Sequence, residues 1–283
     1  MKTRKKSTVV TGIVLAAVLL LAFGVAAPAL SRSSMFTLLA PTGTPTPAAG
    51  DVIPIKSIAG LTSLNATVKT NVNGLINNKR TQGDMTAELV TSDQGSKITV
   101  TGPLLGDITA QVGGSLVGLF TPSSVDIYKV PQGNYIVVNS LIPVCIKPSS
   151  PKATEAFDQL SPQNLLGMFT NSDVARGKLA DKMTVNGMPV NHYIINGDAF
   201  LAGAQNSQDE KLKAFGDALW DAKDADLYVD AKGGYPLAFS GSYSGSYDPL
   251  QFQGDFDVQI ELTGINQEAS VKLPAVCNKP IIQ

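Results

Sequence analysis

The sequence predicts an α+β protein: a large curved antiparallel sheet with helices on one of its sides, preceded by an N-terminal apolar helix. Three observations carry this. Long runs alternate apolar and polar residues with a period of two, two segments carry helix-start signals, and an uninterrupted apolar stretch follows a basic N-terminal tip.

The alternation is clearest in the strands. Leu64, Ala66, Val68 and Val72 alternate with Asn65, Thr67, Lys69, Asn71 and Asn73. Met85, Ala87 and Leu89 then alternate with Asp84, Thr86 and Glu88. The polar turn Ser92 to Gly95 leads into Ile98 and Val100, and Pro131 to Asn134 separates DIYKV from YIVV. Asn186-Gly187 between KMTV and MPVNHYII is a two-residue hairpin signal. A turn around Gly233-Gly234 separates Tyr228–Asp230 from Leu237–Phe239. Near the C-terminus, Phe252, Phe256, Val258, Ile260 and Leu262 point one way. Gln251, Gln253, Asp255, Asp257, Gln259 and Glu261 point the other. Such a pattern requires a sheet with one dry and one wet face.

Two helices are expected among the strands. Ser161-Pro162 supplies a cap and a first-turn proline ahead of Leu165, Leu166, Met168 and Phe169. Ser207 to Glu210 reads as a capping box, with Leu212, Phe215 and Leu219 on one face of the helix it opens. Gly241 to Tyr247, rich in Gly, Ser and Tyr, reads as an irregular edge or loop. Asp221, Asp224, Asp226 and Asp230 read as a solvated helix end entering a strand, since they lack the spacing, glycine and glutamate of an EF-hand.

The N-terminus bears on location. Lys2, Arg4, Lys5 and Lys6 are followed by no charge until Arg32, and Val9 to Ala29 is almost wholly apolar. That run is long enough for a bilayer core, which takes about 20 helical residues, and the basic flank keeps the tip cytoplasmic. Ala27-Pro28-Ala29 offers a small-x-small cleavage site. Residues 1–30 are therefore a signal peptide or an uncleaved signal anchor. Residues 31–56 read as a Pro/Thr-rich linker and 57–283 as the folded domain. The domain is expected outside the cytoplasm, either membrane-anchored or secreted.

Without the four basic residues of the tip, the net charge moves from −1 to −5. An acidic exported domain excludes nucleic acid as a partner, because phosphate binding needs a basic surface. The cysteines, Cys145 and Cys277, both lie in the exported part. An even count in an oxidising compartment suggests a disulfide between them, two separate buried thiols being the alternative. Neither has a CxxC partner or a neighbouring histidine, so no metal site is expected and no cofactor is called for. His192, the lone histidine, sits in a strand pattern with Val190 and Ile194 and reads as structural. No nucleophile elbow, phosphate-binding loop or zinc-protease motif occurs, so no catalytic residues are assigned.

The segment LYVDAKGGYPLAFS (Leu227 to Ser240) resembles the strand–turn–strand of LolA-like proteins. More narrowly, it is similar to the LppX, LprA, LprF and LprG branch of bacterial cell-envelope lipoproteins. FDVQIELTGINQEASVKLPA (Phe256 to Ala275) and the hairpin TVNGMPVNHYIING are similar to the same branch. The resemblance implies a half-barrel whose concave side is covered by helices. Between sheet and helices it implies an apolar cavity for the acyl chains of lipids or lipidated molecules. The helix faces offered to such a cavity are Leu165, Met168 and Phe169, and Leu212, Phe215 and Leu219. The branch carries a lipidated cysteine near its N-terminus and this chain has none there, so anchoring would be by a helical segment or absent. The expected function is an extracytoplasmic carrier of lipid or acylated ligand, not an enzyme. The alternatives are an envelope sensor that binds a partner protein and a ligand-free structural surface protein.

Overall fold

The computed structural model describes residues 50–58, 61, 63–106, 122–149, 166–185, 187–247, 251–265 and 270–282. The N-terminal apolar segment, the Pro/Thr-rich stretch as far as Ala49, and the expected helix start at Ser161-Pro162 with Leu165 lie outside them.

The described residues form one fourteen-stranded sheet. Its strands are β1 (Asp51–Val52), β2 (Leu64–Ile76), β3 (Lys79–Ser92), β4 (Gly95–Thr101), β5 (Ser124–Val130), β6 (Gly133–Asn139) and β7 (Val144–Lys147). They continue as β8 (Arg176–Val185), β9 (Met188–Ile195), β10 (Leu219–Ala222), β11 (Ala225–Asp230), β12 (Pro236–Tyr247), β13 (Phe252–Ile265) and β14 (Ile281–Ile282). In space the order is β1-β8-β9-β11-β12-β13-β2-β3-β4-β5-β6-β7-β14, with β10 paired beside β11 along β12. Each pairing is antiparallel except β14 on β7. The sheet is curved and does not close, since β1 and β14 stand at opposite ends of the order. β1 joins the sheet ahead of residue 57 through its pairing with β8, and Ile53 just after it is buried.

Local chemistry sets the turns. Asn77 and Asn78 both take positive φ, 50° and 62°, which gives the tight reversal that twisted antiparallel strands favour. Gly187 takes φ 77° between β8 and β9, in a hairpin where Val185 faces Met188. In β2, β3 and β13 the predicted alternation is the observed burial pattern, so one face of the central sheet is dry and the other hydrated.

Two short helices lie between β9 and β10: α1 (Gly197–Gln205) and α2 (Glu210–Ala218). The Asn196 side chain caps α1 by accepting from the Ala199 N–H at 3.0 Å. Asp209 accepts from the Leu212 N–H at 3.3 Å at the start of α2, while Ser207 bonds the Asp209 N–H and the Asp173 carboxylate instead. α2 stops one residue short of Leu219, which opens β10 opposite Gly245. A Cβ at Gly245 would run into the Ala218 carbonyl, so the glycine lets the helix end drop directly into the sheet.

That contact corrects two expectations. Gly241 to Tyr247 is no edge or loop but the second half of β12, flanked by β10 and β13. Asp221 belongs to β10 and Asp226 to β11, so the aspartates do not mark a helix end. In β12 small residues hid a strand that needs no bulky side chains, because neighbouring groups cover Gly241 and Gly245 closely.

At the β5–β7 end the single dry face becomes two. The main core continues through Val125, Ile127 and Ile136, while Tyr128, Tyr135, Val137 and Cys145 form a second buried cluster with Val271 and Cys277. Cys145 and Cys277 are joined in a disulfide across 132 residues of chain, which fixes the C-terminal segment against the sheet. Asp126 is buried there, and Thr99, Asn139 and Lys97 compensate it at 2.8, 3.0 and 3.4 Å.

Candidate functional site

The inner face of β12, β13, β2 and β3 is the natural place for an apolar site. Phe239, Ile260, Val68 and Ala87 form one cross-strand row, and Tyr243, Phe256 and Val72 lie in another. Aromatic rings from the helices pack on them. Phe200 of α1 stands 5.6 Å from Tyr243 by ring centroids, and Phe215 of α2 stands 5.8 Å from it. Tyr243 is in turn stacked on Phe256 at 5.3 Å. Phe169 reaches the same face from the 3-10 turn Met168–Thr170 and lies 4.5 Å from Phe239. Tilted and edge-on pairs of this kind add to simple area burial.

Of the residues singled out in the sequence, Phe169, Leu212, Phe215 and Leu219 are buried in this one core, and Met168 packs against it partly exposed. Leu165 lies outside the described residues, and Leu219 arrives from β10 rather than from the helix. Phe200 and Tyr243 were not anticipated. Asn196 followed by Gly-Asp was the available signal for α1, but a nine-residue helix of mostly small side chains shows little periodicity. Tyr243 was concealed by the reading of its segment as a loop. Burial alone pushes its hydroxyl pKa up, so the group is a protonated donor.

The hydrated face carries a separate feature. An open groove of about 540 Å³ runs over β3, β2, β13 and β12 and reaches the start of β11. Its lining includes Lys69, Asp84, Asp226, Ser240, Asp257 and Gln259. The carboxylates are held by neighbours: Asn71 donates to Asp84 at 2.5 Å and Ser242 to Asp257 at 2.6 Å. Beside the groove, His192 stacks on Tyr228 at 4.6 Å. Its ring nitrogens lie 3.0 Å from Asp181 and 2.8 Å from Asp226, so one side chain ties β8, β9 and β11 together. This histidine has no serine or cysteine among those contacts, and no group of metal-ligating side chains is found among the described residues.

The architecture is that of an open, curved antiparallel sheet with few helices, packed on one face along its central strands and on both at β5–β7. No family model matches the chain, and no curated protein does. Among solved structures it is similar to LprF from Mycobacterium bovis, at 11% identity and a TM-score of 0.40, over 76% of this chain and 90% of that one. It is also similar to a DUF1329 family protein from Desulfovibrio piger, at 10% identity and a TM-score of 0.22, over 76% and 89%. Likenesses this loose describe what the chain resembles and leave its activity to be argued from its own residues.

Proposed function

We propose that the protein is a non-enzymatic extracytoplasmic carrier that shelters the acyl chains of a lipid or lipidated molecule between the inner sheet face and the layer formed by α1, α2 and Phe169. The observation that carries this reading is the asymmetry of the central sheet. Its four longest strands present a largely apolar and aromatic face on one side and a regular polar face on the other. Short helices without long connections are the part of such a core that opens at least cost. Met168, Phe169, Leu212, Phe215 and Leu219, with Leu165, are the residues assigned to the acyl chains. The apolar run from Val9 to Ala29 supplies export, as signal or as anchor. Among the described residues no helix is long and apolar enough to cross a membrane.

The test is native mass spectrometry, with organic extraction, of the full chain exported in a bacterial host. A bound species in the phospholipid or acylglycerol range supports the carrier. A ligand-free mass, with no uptake of added fluorescent lipid, favours the structural reading instead. The tight ring contacts of Phe169, Phe200 and Phe215 are the observation on that side.

A further inference from the structure

We infer that the inner face holds a polar subsite, formed by the hydroxyls of Thr70 and Tyr243, that accepts the ester carbonyls of a neutral acyl lipid. The inference rests on the carrier reading above.

Thr70 lies in β2 between Val68 and Val72, on the dry face, and is 1% exposed. Its Oγ1 is buried and has no hydrogen-bond partner. A hydroxyl removed from water without a partner destabilises a fold, and valine, of nearly the same shape, would avoid that loss. The position is therefore unexplained by packing.

Register places a second hydroxyl in the same row. Thr70 faces Val258 of β13, and Val258 faces Gly241 of β12. Gly241 has no side chain of its own, but the Tyr243 ring folds back over it. The phenol oxygen stands 2.8 Å from where a Cβ at position 241 would be. The row thus runs from the Thr70 hydroxyl to the Tyr243 hydroxyl across two strand spacings, roughly 9–10 Å. Val258 lies between them and is partly exposed, whereas Phe256 and Ile260 on the same face are buried. Glycine at 241 is what leaves room for the phenol.

The chemistry of the row selects the ligand. Both hydroxyls can donate, and the described inner-face positions of β12, β13, β2 and β3 around them carry no charged side chain. A carboxylate or phosphate placed there would be desolvated without a counter-ion, while a neutral ester carbonyl needs only a donor. The acyl chains themselves would extend along Phe239, Ile260 and Val68, where no polar atom competes.

The experiment compares dipalmitoylglycerol with 1,2-dihexadecylglycerol, its ether analogue without carbonyls, by displacement of a fluorescent acyl probe from the full chain. The expected result is a preference for the diester of roughly three- to tenfold, the range of one or two net hydrogen bonds. Thr70→Val and Tyr243→Phe each reduce that preference towards unity. Thr70→Val also leaves the thermal midpoint unchanged or raised, which separates a lost ligand contact from a damaged fold. Equal affinity of the natural protein for the two lipids overturns the subsite while the carrier stands, as does a preference that survives both substitutions. Uptake of neither lipid removes the carrier reading, and the subsite with it.

Discussion

The strands β2, β3, β12 and β13 and the strands β5, β6 and β7 share one sheet but treat their second face in opposite ways. In the first group the outer face is left to water and is lined with Ser, Asn, Asp, Gln and Lys. In the second group the C-terminal segment crosses the outer face, and Tyr128, Tyr135, Val137, Val271 and the disulfide make a second core there. Alternation in sequence follows from the first arrangement and fades in the second, since a strand covered on both sides has no reason to alternate. In β5, four consecutive residues from Val125 to Tyr128 are buried. The lesson is that a weak period-two signal can mark a strand held from both sides.

Breaking the covered end and breaking the common inner core have the largest expected effects. Replacing Cys145 and Cys277 together by alanine releases a loop of 132 residues, and the cost should be about 2–5 kcal/mol of stability. Hydrogen exchange should show protection lost first in β5–β7 and the C-terminal segment, with β2 and β13 still protected at the same denaturant concentration. Simultaneous loss in both groups would mean that the second core is not a separable unit. Phe169→Ala tests the common inner core, and because it is fully buried against Phe239 the expected loss is about 3–5 kcal/mol by denaturant titration.

Asp126→Ala is the next step down. It removes the acceptor of Thr99 and Asn139 and the counter-charge of Lys97 in the partly dry second core, and about 1–3 kcal/mol should be lost. On the hydrated face, Asp257→Asn keeps an acceptor for Ser242 and should fall within about 0.5 kcal/mol of the natural protein. A larger loss at Asp257 than at Asp126 would reverse the distinction between the two faces.

A pH series sharpens the contrast. Desolvation, and then the Asp126 carboxylate, raise the Tyr128 pKa above 10.0 in the folded state. A raised folded pKa contributes stability that is complete below the unfolded value and is lost as pH rises through the folded one. Thermal midpoints should therefore decline above about pH 10, and Tyr128→Phe should flatten part of that decline. An identical alkaline profile in the variant would show that the second core does not hold the phenol in its neutral form.

Much of the sheet was legible because its central strands have one wet face. Leu64 to Val72, Met85 to Leu89 and Phe252 to Leu262 lie as their patterns required. The second half of β12 was not legible, since Gly241 and Gly245 are demanded by the Tyr243 ring and the Ala218 carbonyl, contacts that no local pattern reports. Leu219 was misplaced for the same reason: its period fits a helix, but the glycine opposite draws it into the sheet. The hydrated groove could not have been read at all. It assembles positions near 70, 85, 241 and 258 from four strands, and each segment alone is an ordinary polar face. Thr70 was visible only as the gap in an apolar series, between Val68 and Val72.

The sheet's two outermost strands, β1 and β14, are two residues long each. Exposed edge strands are templates on which further chains can add, and a wide open sheet offers two of them. Stubs of this length present too few backbone donors and acceptors in a row to seed a growing fibre. Among the described residues the open sheet thus tapers to stubs, and exposed Lys178, Asp181 and Lys182 charge the part of β8 that β1 leaves uncovered.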